Sequence, residues 1–389
     1  MKIRSVETLR LIRAHTLPAP LPNAPGAGAR VVGVPFPIHK YPEFGRTPAT
    51  TPGEVSGEMW VRVTAENGEW GLGHTHWGDY AAPLVDKFFG PLLVGRDCFA
   101  IELLNDLMWR SAQRFGATGV ASLARSAIDL ALWDLKGKVL AQPVYRLLGG
   151  PCRSTLDCYV TAGNLEWARE LGFKAFKMRN SAHYDDGIEG INRLEEQVAK
   201  ARELVGPDAD LMLNPVMSFN VEYAIRVMER LRPYRLRWVE EPLMPYDTEG
   251  LVRLKQAVPT LPIATGEDHH GRHAFRELVE RRCADVLQPD IRWAGGLSEV
   301  MKIYTIAEAA GIATIPHGGG GMPAGQHFAA ATAESTLVEY VLRSPPGVSL
   351  QDANRIPGMP VPRDGKLVVS DAPGFGMEFL PEDFAPWSV

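Results

Sequence analysis

Through residues 209–341 short apolar runs alternate with amphipathic stretches, and each run closes on one polar side chain. The runs are DADLMLN ending at Asn214, LRWVEE at Glu240, LPIATGE at Glu267, CADVLQPD at Asp290, GIATIPH at His317 and LVEY around Glu339, at intervals of 26, 27, 23, 27 and 22 residues. Helix-like stretches such as NVEYAIRVMERLRP and LSEVMKIYTIAEAA separate most of them. A short apolar run followed by an amphipathic helix is a βα unit, and its repetition predicts a parallel (β/α)₈ barrel of the TIM type. STLDCYVTAG is read as the first barrel strand, GFKAFKMRN as the second, with DGIEGINRLEEQVAKARELV as the helix after it, and TLVEYVL as the eighth.

Ahead of the barrel the pattern changes. Residues 1–13 alternate as a strand, and MWVRVTAENGEWGLGHTHW reads as a hairpin turning at Asn67-Gly68. From Ala81 to Leu140 the period is helical, clearest in SLARSAIDLALWDLKGKVL. Strands followed by helices predict a separate α+β unit over 1–145. Within it, residues 17–53 are rich in Pro, Gly and Ala and predict a long loop with strand fragments around VVGVPFPI. Pro143 and Gly149-Gly150-Pro151 break the last helix and open the barrel, assigned to 146–344. The Pro-rich remainder, 345–389, contains two strand candidates, LVVS and GMEFL.

The C-terminal strand ends of a parallel barrel converge on one face. Asn214, Glu240, Glu267, Asp290 and His317 therefore ring one pocket on this reading. Two carboxylates and an amide oxygen form a hard-oxygen set suited to Mg²⁺. An Asp beside a His fixes the imidazole's tautomer and raises its basicity.

Composition narrows the function classes. Lys and Arg number 41 against 46 Asp and Glu, a net charge of −5 with no basic stripe, which argues against a nucleic-acid partner. With 45% apolar residues the chain can bury a large core. Cys98, Cys152, Cys158 and Cys283 form no CxxC pair and are expected as buried reduced thiols. The opening MKIRSVETLRLIRAHTLP lacks the apolar centre of a signal peptide and no run has the length of a membrane span, so a cytoplasmic enzyme is expected. The GxGxxG, P-loop and HExxH patterns are absent. HGGGG at 317–321 is similar to an esterase oxyanion loop, but no GxSxG accompanies it.

WVEEP at 238–242, TGEDHH at 265–270, VLQPDIRWAGGLSE at 286–299, IPHG at 315–318 and the PGFGMEF tail together resemble the enolase superfamily, in its mandelate racemase-like branch and most nearly the rhamnonate dehydratase group. The resemblance implies a capping domain completed by the C-terminal segment, with the 17–53 loop as its lid. It places Mg²⁺ on Asn214, Glu240 and Glu267; the family has Asp at the first, so Asn214 implies weakened metal affinity. His317 with Asp290 is implied as the base for an α-proton, and the same His can protonate a departing hydroxyl. Where many relatives carry Lys-x-Lys this chain has Lys177-Met178-Arg179. Arg is protonated at any working pH and serves as a carboxylate or hydroxyl clamp, which argues against a two-base racemase. Lys177 is then an electrostatic partner, or else a solvated or barrel-buried ion pair.

The dehydratase group places His directly after the third metal ligand; here Asp268 stands there, so His269 or His270 supplies that contact or it is missing. His39 matches a lid His that touches distal substrate hydroxyls. Glu339 matches an acid that hydrogen-bonds the substrate carboxylate, a role needing a raised pKa. The implied function is dehydration of an aldonate, a sugar acid, to a 2-keto-3-deoxy acid. A sugar-acid epimerase or cycloisomerase, and a metal-poor homologue that binds without turnover, remain as alternatives. Relatives are often dimers or octamers, so a homo-oligomer is expected.

Overall fold

The computed structural model describes residues 1–13, 18–19, 21, 24, 35–44 and 57–388. Most of the 17–53 loop, including the start of VVGVPFPI, lies outside the described residues. Within its described part, Pro37–Lys40 is a 3₁₀ turn, so the end of VVGVPFPI is no strand.

Two sheets organise the chain. In the first, β1 (Ile3–Leu11), β2 (Met59–Ala65) and β3 (Trp70–Thr75) are antiparallel, with β2 and β3 joined as the hairpin expected at Asn67-Gly68. The helix Val120–Val139 lies across this sheet. It approaches so closely that a Cβ on Gly71 would sit 2.2 Å from the Ala131 carbonyl oxygen, and one on Gly73 2.1 Å from that of Ala127. The two glycines of GLGHT are therefore what lets backbone rest on backbone.

The second sheet carries the eight parallel strands expected: β4 (Leu156–Thr161), β5 (Ala175–Arg179), β6 (Asp210–Asn214), β7 (Val239–Glu240), β8 (Ile263–Thr265), β9 (Val286–Leu287), β10 (Ala313–Thr314) and β11 (Leu337–Val341). They pair in the order β10-β9-β8-β7-β6-β5-β4-β11 and curl into a (β/α)₈-type barrel capped by the first sheet and its helices. No ladder between β10 and β11 occurs among the described residues; that seam is bridged by the Ser335 hydroxyl donating to the Thr314 carbonyl at 2.7 Å.

The tail departs from expectation. LVVS contributes only its first residue to the short β12 (Lys366–Leu367), which pairs with β4, and GMEFL forms no strand. The strand is instead β13 (Phe384–Pro386), added to β1. Met377 and Phe379 are buried as side chains, and Phe379 packs edge-on to Trp60, so the apolar signal in GMEFL is core packing without a ladder.

The barrel interior explains the phase of the chemistry. One apolar layer takes a residue from every strand level: Tyr159, Ala175, Met212, Trp238, Ala264, Val286, Ile315 and Leu337. Side chains two residues apart face the same way along a strand. Stepping two residues toward the C-terminal ends gives Thr161, Lys177, Asn214, Glu240, Gly266, Gln288, His317 and Glu339, almost all able to carry chemistry.

The cap fixes part of this layer directly. Thr75 Oγ1 donates to the Arg292 carbonyl at 3.0 Å and Ser122 Oγ to the Trp293 carbonyl at 2.6 Å. The buried Asp129 accepts from Ser298 N at 3.0 Å and from Asn105 Nδ2 at 2.8 Å. The turn after β9 is thus held against helix Val120–Val139. Among the described residues no helix is long and apolar enough to cross a membrane. Three of the four cysteines are buried, but Cys152 is exposed, because it opens the barrel in a surface turn after the Gly-Gly-Pro break.

Candidate active site

Lys177 is at the centre of a buried charge cluster. Its ammonium donates to Glu240 Oε1 and lies 2.7 Å from Glu339 Oε1, with the side chains of all three about 1% exposed. This is the barrel-buried ion pair of the two readings for that residue. Burial opposes the Lys177 charge, but Glu240, Glu339 and Glu267 outweigh it and raise its pKa.

The raised pKa expected for Glu339 is not found. Burial pushes Glu339 up, yet Lys177 and His317 outweigh burial and hold it at about 2. Thr161 Oγ1 and the Gly318 N–H, the latter at 2.8 Å, also donate to it. In this arrangement Glu339 is a carboxylate that accepts from Lys177, Thr161 and Gly318.

Glu240 is saturated. Beside Lys177 it accepts from Asn214 Nδ2 at 2.9 Å, from Gln288 Nε2 at 2.8 Å and from Trp238 Nε1 at 3.3 Å. Asn214 turns its oxygen away, accepting from Val216 N at 2.7 Å. Ligation through that oxygen would need the amide turned over, at the loss of the Val216 contact. Glu267 differs: its Oε2 is buried and accepts no hydrogen bond. Burial, with Glu240 and Asp268 nearby, pushes Glu267 up to about 7 despite His317.

Among the described residues no group of three or more His, Cys, Asp and Glu is placed to hold a metal ion. The hard-oxygen set has two carboxylates with an amide in third place. An orphaned buried carboxylate oxygen on Glu267, next to a second carboxylate, nevertheless fits a divalent cation. Asn214 fits it only after rotation.

His317 and Asp290 meet as expected, Nδ1 to Oδ2 at 2.9 Å. His317 Nε2 lies 3.5 Å from Glu267 Oε2. Burial lowers the imidazole's pKa, but Glu267, Asp290 and Glu339 outweigh it and raise it to about 10. Without a cation on Glu267, His317 is an imidazolium at neutral pH. A charge that engages Glu267 removes its main support and frees Nε2 to accept a proton.

Arg292 is a site residue the sequence reading missed. It binds Asp290 through Nε at 3.0 Å and Nη2 at 2.5 Å, while its N–H donates to Oδ1 at 2.8 Å. Burial notwithstanding, Arg292 and His317 hold Asp290 well below the usual carboxylate range. Gln288 was also missed, although its place two residues beyond Val286 in the inner layer would have marked it.

The remaining candidates stand apart from this cluster. Arg179 ends β5 opposite Asn214 in register, and its carbonyl accepts from Gln197 Nε2 at 2.8 Å. His269 is buried beside Phe275, and burial together with His270 lowers its pKa to about 4. His270 precedes the helix Gly271–Glu280, its pKa lowered by burial and by Arg125. His39 closes the 3₁₀ turn, its Nδ1 accepting from Phe36 N at 2.8 Å. Outward from His317 a cavity of about 560 Å³ is lined by residues of the cap, the Gly318–Met322 turn and the C-terminal segment.

The chain is similar to known proteins along most of its length. Residues 161–383 match the enolase C-terminal domain-like model and 50–149 the mandelate racemase/muconate lactonizing enzyme N-terminal domain. The chain belongs to the enolase superfamily. An L-rhamnonate dehydratase of Saccharopolyspora erythraea is 37% identical over 349 residues, covering 89% of each chain. The solved rhamnonate dehydratase from Gibberella zeae complexed with Mg is 32% identical with a TM-score of 0.90, over 99% of this chain and 96% of that one. A 3,6-anhydro-D-galactonate cycloisomerase from Zobellia galactanivorans is 30% identical with a TM-score of 0.73, over 82% and 91%. With dehydratase relatives matched nearly end to end, the chain is an enzyme of the hydro-lyase type.

Proposed function

We propose that the chain dehydrates a sugar acid, removing the α-proton and the C3 hydroxyl to give a 2-keto-3-deoxy acid. The observation carrying this is the Asp290–His317 pair at 2.9 Å, with His317 Nε2 facing Glu267 and the cavity beyond. Mg²⁺, held by Glu267, by an Asn214 rotated so that its amide no longer donates to Glu240, and by the Glu240 oxygen which that rotation frees, would supply Lewis-acid stabilisation of the negative charge that develops on the substrate carboxylate. His317 takes the α-proton on Nε2, and Asp290 keeps Nδ1 protonated through the transfer. Arg292 holds Asp290 ionised throughout. The same imidazolium then returns its proton to the leaving hydroxyl, so one side chain serves both halves of the elimination. Lys177 keeps Glu339 charged and bridges it to Glu240 inside the barrel, and Arg179 would clamp a substrate oxygen. With Arg179 where a second base would stand, abstraction is one-sided. His39, His269 and His270 enter this reading only as outer contacts. Cytoplasmic action as a homo-oligomer belongs to the same reading.

A second reading is favoured by Asn214, whose amide donates to Glu240 where a third carboxylate would bind metal. On that reading the protein binds sugar acids without turnover. Incubation of the protein and Mg²⁺ with a panel of aldonates in D₂O separates the two. Dehydration predicts 2-keto-3-deoxy products from wild type, and for His317→Ala a loss of about 10²–10⁴-fold in rate and of solvent deuterium at the α-carbon. Deuterium incorporation that survives in His317→Ala removes the role of that residue. Silence of the wild type across the panel favours the binder.

A further inference from the structure

The cavity beside His317 has a cationic lining. Arg292, Arg343 and Arg355 line it, against Glu58 as the one carboxylate among its described lining residues. Arg292 is engaged by Asp290. The guanidinium groups of Arg343 and Arg355 make no hydrogen bond or ion pair to a described residue, and both are exposed at the cavity mouth. Glu58 offsets only part of this charge. Burial pushes its pKa up, but His74, His76, Arg292 and Arg343 together outweigh burial and keep it a carboxylate. Its charge is thus divided over several cations.

The backbone presenting these arginines is well held. Asn354 Nδ2 donates to the carbonyls of Ile356 and Met359 at 3.0 and 2.9 Å, and Asn354 Oδ1 accepts from Ile356 N at 3.2 Å, closing the turn that carries Arg355. Next to Arg343, Ser344 Oγ donates to the Val348 carbonyl. Two guanidiniums without a partner among the described residues, carried on two held backbone segments and lining a volume of about 560 Å³, form a receptor for an anion and leave a methyl or hydroxymethyl end unmatched. Glu240 and Glu267 are absent from the lining of this cavity, whereas His317 belongs to it and lies 3.5 Å from Glu267 through Nε2. A substrate with its α-carbon at His317 and its carboxylate toward Glu240 and Glu267 would direct its other end into the cavity that the arginines line.

We propose that the substrate is a dianion, a sugar acid with a second anionic group, carboxylate or phosphate ester, at the end remote from the α-carbon, bound by Arg343 and Arg355. This rests on the dehydratase reading and narrows its substrate. The rhamnonate of the relatives' names ends in a methyl group, so the difference would be one of specificity within a shared reaction.

The test uses the Mg²⁺-loaded protein and three six-carbon acids of matched stereochemistry: an aldonate, an aldarate and a 6-phosphoaldonate. Product formation gives kcat/KM, and titration calorimetry gives affinity independently of turnover. One dianion should be preferred over the aldonate by about tenfold or more, and which one identifies the group. Arg343→Gln and Arg355→Gln should each erode that preference about tenfold, through KM rather than kcat, and Arg355→Lys should restore part of it. Equal use of monoanion and dianions, or variants that weaken all three acids alike, overturns the proposal. If no acid is turned over, the dehydratase reading fails, and calorimetry still decides. Tighter, arginine-dependent binding of a dianion sustains the anion site, and equal affinities reject it. Both arginines are exposed, so the glutamine variants should fold, which their circular dichroism checks.

Discussion

Replacing Lys177 by Met tests whether the barrel is organised around one buried cation. In the wild type that ammonium lies between Glu240 Oε1 and Glu339 Oε1, out of reach of water. Glu339 is brought from 4.5 to about 2, which at about 1.36 kcal/mol per pH unit is roughly 3 kcal/mol, with Lys177 its main stabiliser. Breaking a buried ion pair by deleting one partner costs a similar amount, about 3–5 kcal/mol. A depressed carboxylate contributes stability above its unfolded pKa and loses it as pH falls toward the folded value. Wild type should therefore lose about 3 kcal/mol from this group between pH 4.5 and pH 2. In Lys177→Met that support is gone, and burial is opposed only by His317, Thr161 and the Gly318 N–H, so acid costs the variant less. The gap between the two proteins should be about 3 kcal/mol or more at neutral pH and narrow on acidification. Urea unfolding in EDTA at several pH values measures it, with far-UV circular dichroism and tryptophan fluorescence as parallel probes because cap and barrel can unfold separately. A gap below about 1 kcal/mol at neutral pH, or one that does not change with pH, would refute the reasoning.

Three further outcomes are expected. Asn214→Asp should raise Mg²⁺ affinity by about tenfold or more in calorimetry, since it replaces an amide donor with a third carboxylate; no gain would mean the amide already ligates well. In metal-free protein the His317 ring should stay protonated past pH 8 in ¹⁵N NMR, because its pKa is raised to about 10. Its contribution to stability is then full below about 6.5 and lost as pH rises through about 10. Glu267→Gln should lower that pKa by more than about one unit, and an unchanged titration would contradict the pairing. Gly73→Ala should cost about 1–3 kcal/mol or more, since its Cβ would lie 2.1 Å from the Ala127 carbonyl; a melting temperature equal to wild type would mean the helix can shift freely.

How far each feature was legible depends on the range of the interaction behind it. The eight barrel strands are local events: a run of apolar residues with turn signals on both sides forms a strand wherever it packs, and all eight stand where those runs lie. The strand-end positions of Asn214, Glu240 and His317 follow too, because period two transmits the orientation of the apolar layer to the residue two further on. LVVS and GMEFL show the limit of that signal. Their apolar residues are needed by the core, and it is Phe384–Pro386 that pairs with β1.

Charge state was beyond the sequence. The protonation of Glu339 depends on Lys177 across the barrel, 162 residues away in sequence, and on His317, and the sum of those Coulomb terms exists only once the strands are closed. The direction of the Asn214 amide likewise follows from the positions of Glu240 and the Val216 N–H. Arg292 was hidden because an Arg after a strand end is ordinarily a solvated charge, and only the Ser122 and Thr75 contacts from the cap turn its loop inward onto Asp290. The sequence by itself determined which residue types face the barrel mouth, because orientation along a strand is a property of neighbouring residues. The tertiary structure alone decided which of them are charged, paired or left open to a ligand, because those properties are sums over groups that only folding brings within a few ångströms.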